Sequence, residues 1–343
     1  MQYKHGGDIF ESTSLLDFSI NINPLGMPKE IATALVAAVA GADVYPDYKC
    51  RKLSGLLGAK HGVSESQIVI GNGASEIICA VSRLGFKTAV VIQPTFSEYK
   101  TALETSGVEV CDYIMGENLE FGVQDAKKIP QCDVCFLCNP NNPTGKFAGA
   151  DAVRALATHL QSFGGTLVLD ECFIDFVADG VSGIQLFETC KNIIIIRAFT
   201  KIFAMAGVRL GYAICSCENV AQSLQTQLPM WNVSHLAQKA GETAIEKCDD
   251  FGGMLEVVAS GRRYLENSLL FFGFKVYISD ANFILFETDF DLKTPLLAKG
   301  ILIRDASNFV GLRKNMFRVC VATMEKNQSL IRAIVEVMIE RSE

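Results

Sequence analysis

The chain has 343 residues, of which 49% are hydrophobic and 20% are charged, a balance typical of a large folded enzyme and unlike a disordered chain. Its formal net charge of −7 excludes the broad basic surface that binding to nucleic acid or to an anionic membrane requires. Residues 1–5 lack the apolar stretch of a signal peptide, and no apolar run approaches the roughly 18 residues of a membrane span.

The twelve cysteines are scattered among apolar residues and form no compact disulfide framework. We interpret them as reduced, buried thiols, which favours a cytoplasmic protein. Cys132, Cys135 and Cys138 raise the alternative of a metal site. They lie in a strand-like run, however, where a spacing of three residues places successive thiols on opposite faces. We therefore predict no metal site.

The first 28 residues are predicted to form a mostly extended arm. A helix can begin after Pro28 and continue to about residue 40, with Ile31, Leu35 and Val39 on one face. A turn at residues 45–47 leads into a second helix, and Gly62 is expected to end it.

From residue 68 onward, short β-rich runs alternate with helical segments, which predicts a doubly wound and mainly parallel sheet. Ligands of such sheets bind at the carboxyl ends of the strands. The predicted strands are residues 68–70, 89–92, 132–138, 166–169, 193–196 and 212–215. The predicted helices span residues 74–84, 94–105 and 150–163.

The pattern changes after Pro229, where one long helical region over residues 236–270 leads away from the predicted sheet. Three further strands and a last helix complete a smaller α+β unit; they are expected at residues 274–277, 283–286, 317–321 and 327–339. The fold class is therefore α/β. We expect an arm that is partly in the small domain at 1–44, a large domain at 45–235 and a small domain at 236–343.

The segment after the strand at 193–196 carries the strongest chemical signal. Lys201 follows Thr200 there, and Arg209 comes eight residues later. A lysine just past a buried strand can be partly desolvated, which makes its amine a nucleophile toward carbonyls. A solvated loop charge is the alternative for Lys201 alone. Amine, hydroxyl and guanidinium together suit pyridoxal 5′-phosphate, which offers an aldehyde and a phosphate.

Four other positions at strand ends have both a functional and a structural interpretation. The N–H groups of Ala74 and Ser75 at a helix start could bind an anion, although Ser75 could simply cap the helix. Phe96 could stack on a ring or belong to the core. The Asn142 amide could reach a phenolic oxygen or only shape a turn. Asp170 could pair with a pyridinium nitrogen or cap a helix.

The ordered set of these motifs resembles the fold-type-I pyridoxal-phosphate enzymes, the class I and II aminotransferases and their decarboxylase relatives. The resembling motifs are residues 71–76, 94–99, 139–145, 170–171 and 197–212. The resemblance implies that Lys201 forms a Schiff base with the cofactor, with Asp170 at the ring nitrogen. It also implies that Asn142 bonds the ring hydroxyl and that Phe96 stacks on the ring. The implied phosphate ligands are Ala74, Ser75, Thr200 and Arg209, with Tyr45 reaching the neighbouring subunit's phosphate in a homodimer.

Three features resemble the branch that decarboxylates L-threonine O-3-phosphate to (R)-1-aminopropan-2-yl phosphate in cobalamin synthesis. One is the N-terminal pair of segments at residues 5–8 and 16–26. The second is Phe173, a ring contact where the aminotransferases usually have tyrosine, and the third is Arg304 followed by Arg318. The alternative is an aminotransferase that acts on histidinol phosphate or a related amino acid with 2-oxoglutarate. A non-catalytic cofactor-binding module is a third possibility, which the intact Lys201 disfavours.

The expected substrate is a small phosphorylated amino acid. A guanidinium binds a carboxylate in a two-pronged fashion, so Arg318 is the candidate for the substrate carboxylate. Arg304 and His5 are the candidates for the substrate phosphate, and Asn23 is a weaker third contact. Each arginine could instead be a surface charge, and His5 could be an ordered loop residue.

Overall fold

The computed structural model describes residues 6–7, 15–248 and 250–342. Within these residues, no helix is both long and apolar enough to cross a membrane. His5 lies outside the described residues.

The largest sheet runs through the middle of the chain and is mainly parallel. Its strands are β2 (Ile68–Gly71), β3 (Thr88–Gln93), β4 (Glu109–Ile114), β5 (Val134–Cys138), β6 (Thr166–Asp170), β7 (Ile193–Ala198) and β8 (Gly211–Cys215). Their order in the sheet, for the described residues, is β2-β8-β7-β6-β5-β3-β4, and β8 runs antiparallel to both of its neighbours. The other neighbours in this sheet are parallel. The predicted α/β fold class is confirmed.

Helices cover both faces of this sheet. They are α1 (Lys29–Ala38), α2 (Arg51–His61), α3 (Ala74–Ser82), α4 (Glu98–Thr105), α5 (Val123–Ala126), α6 (Ala150–Gln161), α7 (Phe199–Ile202), α8 (Glu218–Gln225) and α9 (His235–Lys247). Of these helices, α3 to α7 lie between strands of the sheet in the chain. Because strand side chains alternate between faces, Ile193 and Ile195 pack into one core, whereas Ile194 and Ile196 pack into the other. A strand that is buried on both faces explains the continuous isoleucine run.

A second, antiparallel sheet has the order β12-β13-β10-β9, and a parallel pair joins β1 to β11. The elements of this part are β1 (Leu16–Asp17), α10 (Gly252–Phe271), β9 (Lys275–Tyr277), β10 (Phe283–Glu287), α11 (Lys293–Ala298), β11 (Ile301–Leu302), β12 (Arg304–Asp305), β13 (Met316–Cys320) and α12 (Met324–Ser342). The pairing of β1 with β11 brings the N-terminal arm to the C-terminal part. In the antiparallel sheet, Arg304 lies directly opposite Arg318.

Some sequence-based expectations were wrong in detail. The helical region predicted at 236–270 is two helices, α9, which ends at Lys247, and α10, which begins at Gly252. The expected inward-facing Val39 is 60% exposed, because α1 ends at Ala38 and a tighter 3₁₀ turn changes the direction of the side chains. Cys132 lies before β5 and packs in the same core cluster as Cys135, not on the opposite face.

Candidate active site

A cavity of about 730 Å³ opens at the carboxyl ends of β3, β5, β6 and β7. This volume suits a bound cofactor together with a small substrate. Most of the predicted site residues line it, although they come from distant parts of the chain. The predicted residues that line the cavity are Ala74, Ser75, Phe96, Asn142, Asp170, Phe173, Thr200, Lys201, Arg209, Arg304 and Arg318.

Lys201 lies on the short helix α7, directly after the buried strand β7. Burial lowers the pKa of its amine to about 8, and the positive charge of Arg318 adds to this effect. The Lys201 Nζ stands 5.8 Å from the centre of the Phe173 ring. Near pH 8, about half of this amine is therefore unprotonated and can attack an aldehyde.

The Asp170 carboxylate is held at the floor of the cavity by two donors. The Tyr99 hydroxyl donates to Oδ2 at 2.6 Å, and the backbone N–H of Cys172 donates to Oδ1 at 2.9 Å. Burial and the nearby Asp170 charge raise the pKa of Tyr99 well above its ordinary value, so its hydroxyl remains a donor. Each carboxylate oxygen keeps a lone pair that could accept a bond from a pyridinium nitrogen.

Tyr99 is a site residue that the sequence reasoning missed. Its ring packs edge to face against Phe96, with the ring centres 5.6 Å apart. Tyr99 therefore contacts two predicted ring-binding residues at once, Phe96 by packing and Asp170 by hydrogen bonding. The Tyr99 N–H donates to the Phe96 carbonyl at 3.4 Å in the turn that leads into α4, so the two residues lie close together.

A narrow cradle forms where the N-terminus of α3 meets Arg209. A Cβ atom on Gly73 would stand 2.7 Å from Arg209 Nη2, and one on Gly211 would stand 2.5 Å from the Ala74 nitrogen. Gly73 also has a φ of +80°, which only glycine adopts easily. Backbone N–H groups at a helix start and a guanidinium are the donors that a phosphate prefers. The cradle and the Asp170 carboxylate together fit pyridoxal 5′-phosphate.

A buried ion pair behind the cavity fixes β6 relative to β7. Arg197 Nη2 lies 2.8 Å from Glu171 Oε2, and both side chains are almost fully buried. Glu171 directly follows Asp170, and Arg197 stands four residues before Lys201 on β7. The pair therefore helps to hold the carboxylate and the amine of the site at a constant separation.

The two arginines on the small-sheet side of the cavity are buried and face each other. Arg304 and Arg318 occupy directly opposite positions on β12 and β13, and like charges in this arrangement repel. Among the described residues, neither arginine forms an ion pair with a carboxylate. Burial and the charge of Arg304 lower the pKa of Arg318 to about 9. Such a pair is well suited to bind an anionic ligand.

Hydrogen bonds from Arg318 connect it to the cofactor side of the cavity. Its Nη1 donates to Asn142 Oδ1, and its Nη2 donates to the Ser19 carbonyl at 2.5 Å. Arg304 donates to the Asp305 carbonyl and, at 2.8 Å, to Asn308 Oδ1. The Nε of Arg318 is buried and has no partner among the described residues. This donor is thus available to a ligand.

Two predicted site residues lie away from the cavity. The Asn23 Nδ2 donates to the Ile202 carbonyl at 2.7 Å, so its side chain anchors α7 rather than lining the cavity. Asn21 lines the cavity instead, and its buried Oδ1 has no partner among the described residues. Tyr45 is 77% exposed, and its ring centre lies 4.9 Å from that of Trp231.

Comparisons with known proteins agree with this geometry. The family described as aminotransferase class I and II matches residues 13–334. The threonine-phosphate decarboxylase of Salmonella typhimurium is 34% identical over 97% of this chain and 96% of that protein. The adenosylcobalamin biosynthesis bifunctional protein of Leptospira interrogans is 32% identical over 96% of this chain, which spans 40% of that longer protein.

A solved structure is also similar over most of its length. The histidinol-phosphate aminotransferase from Clostridium acetobutylicum has a TM-score of 0.88 and 31% identity, with 94% of this chain and 99% of that chain covered. The fold and the family are therefore supported by both sequence and structure.

Proposed function

The chain belongs to the aminotransferase class I and II family, and on that premise we propose that it decarboxylates L-threonine O-3-phosphate with pyridoxal 5′-phosphate as cofactor. The product is (R)-1-aminopropan-2-yl phosphate, and the reaction would serve cobalamin synthesis. The names of the Salmonella and Leptospira relatives support this assignment.

The cofactor would be held by the residues that surround the cradle and the cavity floor. Lys201 would bind its aldehyde, Asp170 its ring nitrogen and Asn142 its ring hydroxyl, while Phe96 stacks on the ring. The proposed phosphate ligands are Ala74, Ser75, Thr200 and Arg209. When bound, the cofactor takes up the electron pair that remains at the substrate Cα after a bond there breaks.

The observation that carries the substrate assignment is the buried pair of arginines. Two guanidiniums without a carboxylate partner among the described residues favour a substrate with two anionic groups. L-Threonine O-3-phosphate has a carboxylate and a phosphate, whereas histidinol phosphate has only the phosphate. Because Arg318 donates to Asn142, the residue proposed to hold the ring hydroxyl of the cofactor, we assign it the carboxylate. Arg304 would hold the phosphate, together with His5.

These contacts decide which bond at Cα breaks. Arg318 would fix the orientation of the substrate carboxylate in the cavity, so that the bond between Cα and this carboxylate would be the one that breaks, with CO₂ as the leaving group. The Lys201 amine, in its protonated form, would then give a proton to Cα in place of the lost carboxylate. Phe173 offers no hydroxyl to the ring, which is consistent with a site that differs from that of an aminotransferase.

A substitution of Arg318 tests this assignment. Arg318→Met should lower kcat/KM for L-threonine O-3-phosphate by at least about 100-fold, because one partner of a buried charge pair is lost. Arg332→Met, an exposed arginine on α12, is the matched control and should leave kcat/KM unchanged. An Arg318→Met enzyme of wild-type efficiency would refute the carboxylate assignment.

We also propose that the protein is a homodimer in which Tyr45 reaches the cofactor phosphate of the partner. Exposed apolar side chains precede Tyr45 in the chain and adjoin Trp231, whose ring packs against Tyr45, and they support a buried interface there. The exposed side chains are Val36, Val39, Val44, Tyr45, Met230 and Trp231. Mixed dimers test the proposal, because Tyr45→Ala and Lys201→Ala subunits together rebuild one intact site. An equal mixture should recover roughly a quarter of the wild-type activity, because half of the dimers are mixed and each mixed dimer has one intact site. No recovery of activity would contradict a site that is shared between subunits.

The proposed domains are residues 45–235 around the large sheet and 236–343 around the small sheet, with residues 1–44 attached partly to the latter. The β1–β11 pairing supports this division. A cytoplasmic location is likewise proposed from the cysteines, which are all free thiols.

A further inference from the structure

We propose that Gly6 is a positioning residue for substrate binding, because its missing side chain lets the Ser19 carbonyl hold Arg318. This inference rests on the proposed function, in which Arg318 binds the substrate carboxylate. The N-terminal glycine pair would thus set the affinity for the carboxylate without touching the cofactor. Gly6, Ser19 and Arg318 all line the same cavity.

The Ser19 carbonyl is one of two oxygen acceptors that fix the Arg318 guanidinium. Arg318 Nη2 donates to it at 2.5 Å, and Nη1 donates to Asn142 Oδ1. Arg318 needs such anchors, because Arg304 faces it across the two strands and repels it. If the carbonyl moved, the guanidinium would shift relative to the substrate carboxylate.

Ser19 is itself held from both sides. Its N–H and its hydroxyl both donate to Asp17 Oδ1, at 2.7 Å and 2.6 Å. From the other side, the Gly7 N–H donates to the Ser19 Oγ at 2.8 Å. The residue is nearly fully buried, so these bonds form away from competing water. The arm residues 6–7 therefore complete the shell that orients the carbonyl.

Gly6 packs so closely that no other residue fits. A Cβ atom at this position would overlap the Ser19 carbonyl oxygen and stand 2.9 Å from its carbonyl carbon and 3.0 Å from Oγ. The overlapped atoms belong largely to the backbone, which cannot rotate away as a flexible side chain does. Any side chain at residue 6 must therefore displace the carbonyl or the arm. A misplacement of about 1 Å in a binding group can cost on the order of 100-fold in rate.

Two ligands that cannot react separate the effect of Gly6 on carboxylate binding from any effect on phosphate binding. The first, 3-(phosphonooxy)butanoate, has the carboxylate and the phosphate of the substrate but no amine. The second, propan-2-yl phosphate, has the phosphate alone. Calorimetric titration of holoenzyme should show that Gly6→Ala binds the first ligand at least 10-fold more weakly than wild type. Binding of the second ligand should change less than twofold, as should the affinity for the cofactor. The steady-state KM for L-threonine O-3-phosphate should rise by a similar factor.

Gly116→Ala is the matched control, since a Cβ at Gly116 meets nothing within 4 Å. Equal losses of affinity for both ligands in Gly6→Ala, or no loss for either, would overturn the inference.

Ser19→Ala is the second variant, because it keeps the Ser19 carbonyl but removes the hydroxyl that anchors the residue. It should weaken only the carboxylate-containing ligand, by roughly three- to tenfold, as expected for a lost hydrogen bond of about 1 kcal/mol. If Gly6→Ala does not fold, the test rests on Ser19→Ala. An affinity of Ser19→Ala for 3-(phosphonooxy)butanoate equal to that of wild type would then overturn the inference. A wild-type enzyme that does not prefer the carboxylate-containing ligand would refute the proposed function itself.

Discussion

Replacing Lys201 by methionine should stabilise the cofactor-free protein at neutral pH. Burial first, and then the charge of Arg318, lower the pKa of this lysine from 10.5 to about 8 in the folded state. Below pH 8 the lysine is charged in both states, so the folded state bears the full cost of burying the charge. The difference between the two pKa values corresponds to about 3 kcal/mol. Methionine has a similar length and no charge, so Lys201→Met should recover up to that amount.

The pH dependence of the stability difference between Lys201→Met and wild type is a sharper test of the lowered pKa. Between about pH 8 and pH 10.5, folded Lys201 releases its proton before the unfolded lysine does, so wild-type stability rises with pH relative to the variant. The advantage of Lys201→Met should thus be largest at pH 7 and decline above pH 8. The urea midpoints of unfolding of the two cofactor-free proteins at pH 7 and pH 9.5 measure this difference in stability. Lys29→Met, an exposed lysine on α1, is the control. A Lys201→Met protein no more stable than wild type at pH 7 would contradict the proposal that the Lys201 amine is largely desolvated in the folded state.

Three further substitutions have defined expectations. Tyr99→Phe removes the hydroxyl that donates to Asp170, so equilibrium dialysis should show cofactor affinity reduced about 10-fold or more; unchanged affinity would contradict this role. Gly73→Ala places a methyl group 2.7 Å from Arg209 Nη2, so it should weaken cofactor binding at least 10-fold. Inorganic phosphate should also compete less effectively with the cofactor in this variant than in wild type. Phe173→Tyr adds a donor beside the reacting amine and should raise the fraction of turnovers that end in pyridoxamine 5′-phosphate, measured by absorbance; no rise would show that this ring does not influence the reaction.

The parts of the site on consecutive strand ends were predictable from sequence. An apolar strand followed by a polar residue marks a carboxyl end, and parallel strands bring their carboxyl ends to one edge. Asp170 at the end of β6, Lys201 after β7 and Asn142 after β5 all follow this rule and line one cavity. The α/β fold was predictable for the same reason, because the alternation of strands and helices is local.

Contacts between distant segments were not predictable from local patterns. Ser19 and Arg318 are almost 300 positions apart, and nothing near either residue indicates that one carbonyl accepts from the other. Asn21 and Asn23 flank a single residue, so sequence alone could not decide which side chain faces the cavity. The edge strand β4 was not predicted, because it is largely solvent-exposed and lacks the apolar run of the central strands.

The most direct test of the proposed function is CO₂ release from L-threonine O-3-phosphate by the holoenzyme without any keto acid. We expect stoichiometric CO₂ and an amine phosphate product, while the bound cofactor returns to its starting absorbance after each turnover. Conversion of the cofactor to pyridoxamine 5′-phosphate without CO₂, with turnover that depends on 2-oxoglutarate, would contradict the decarboxylase assignment and identify an aminotransferase.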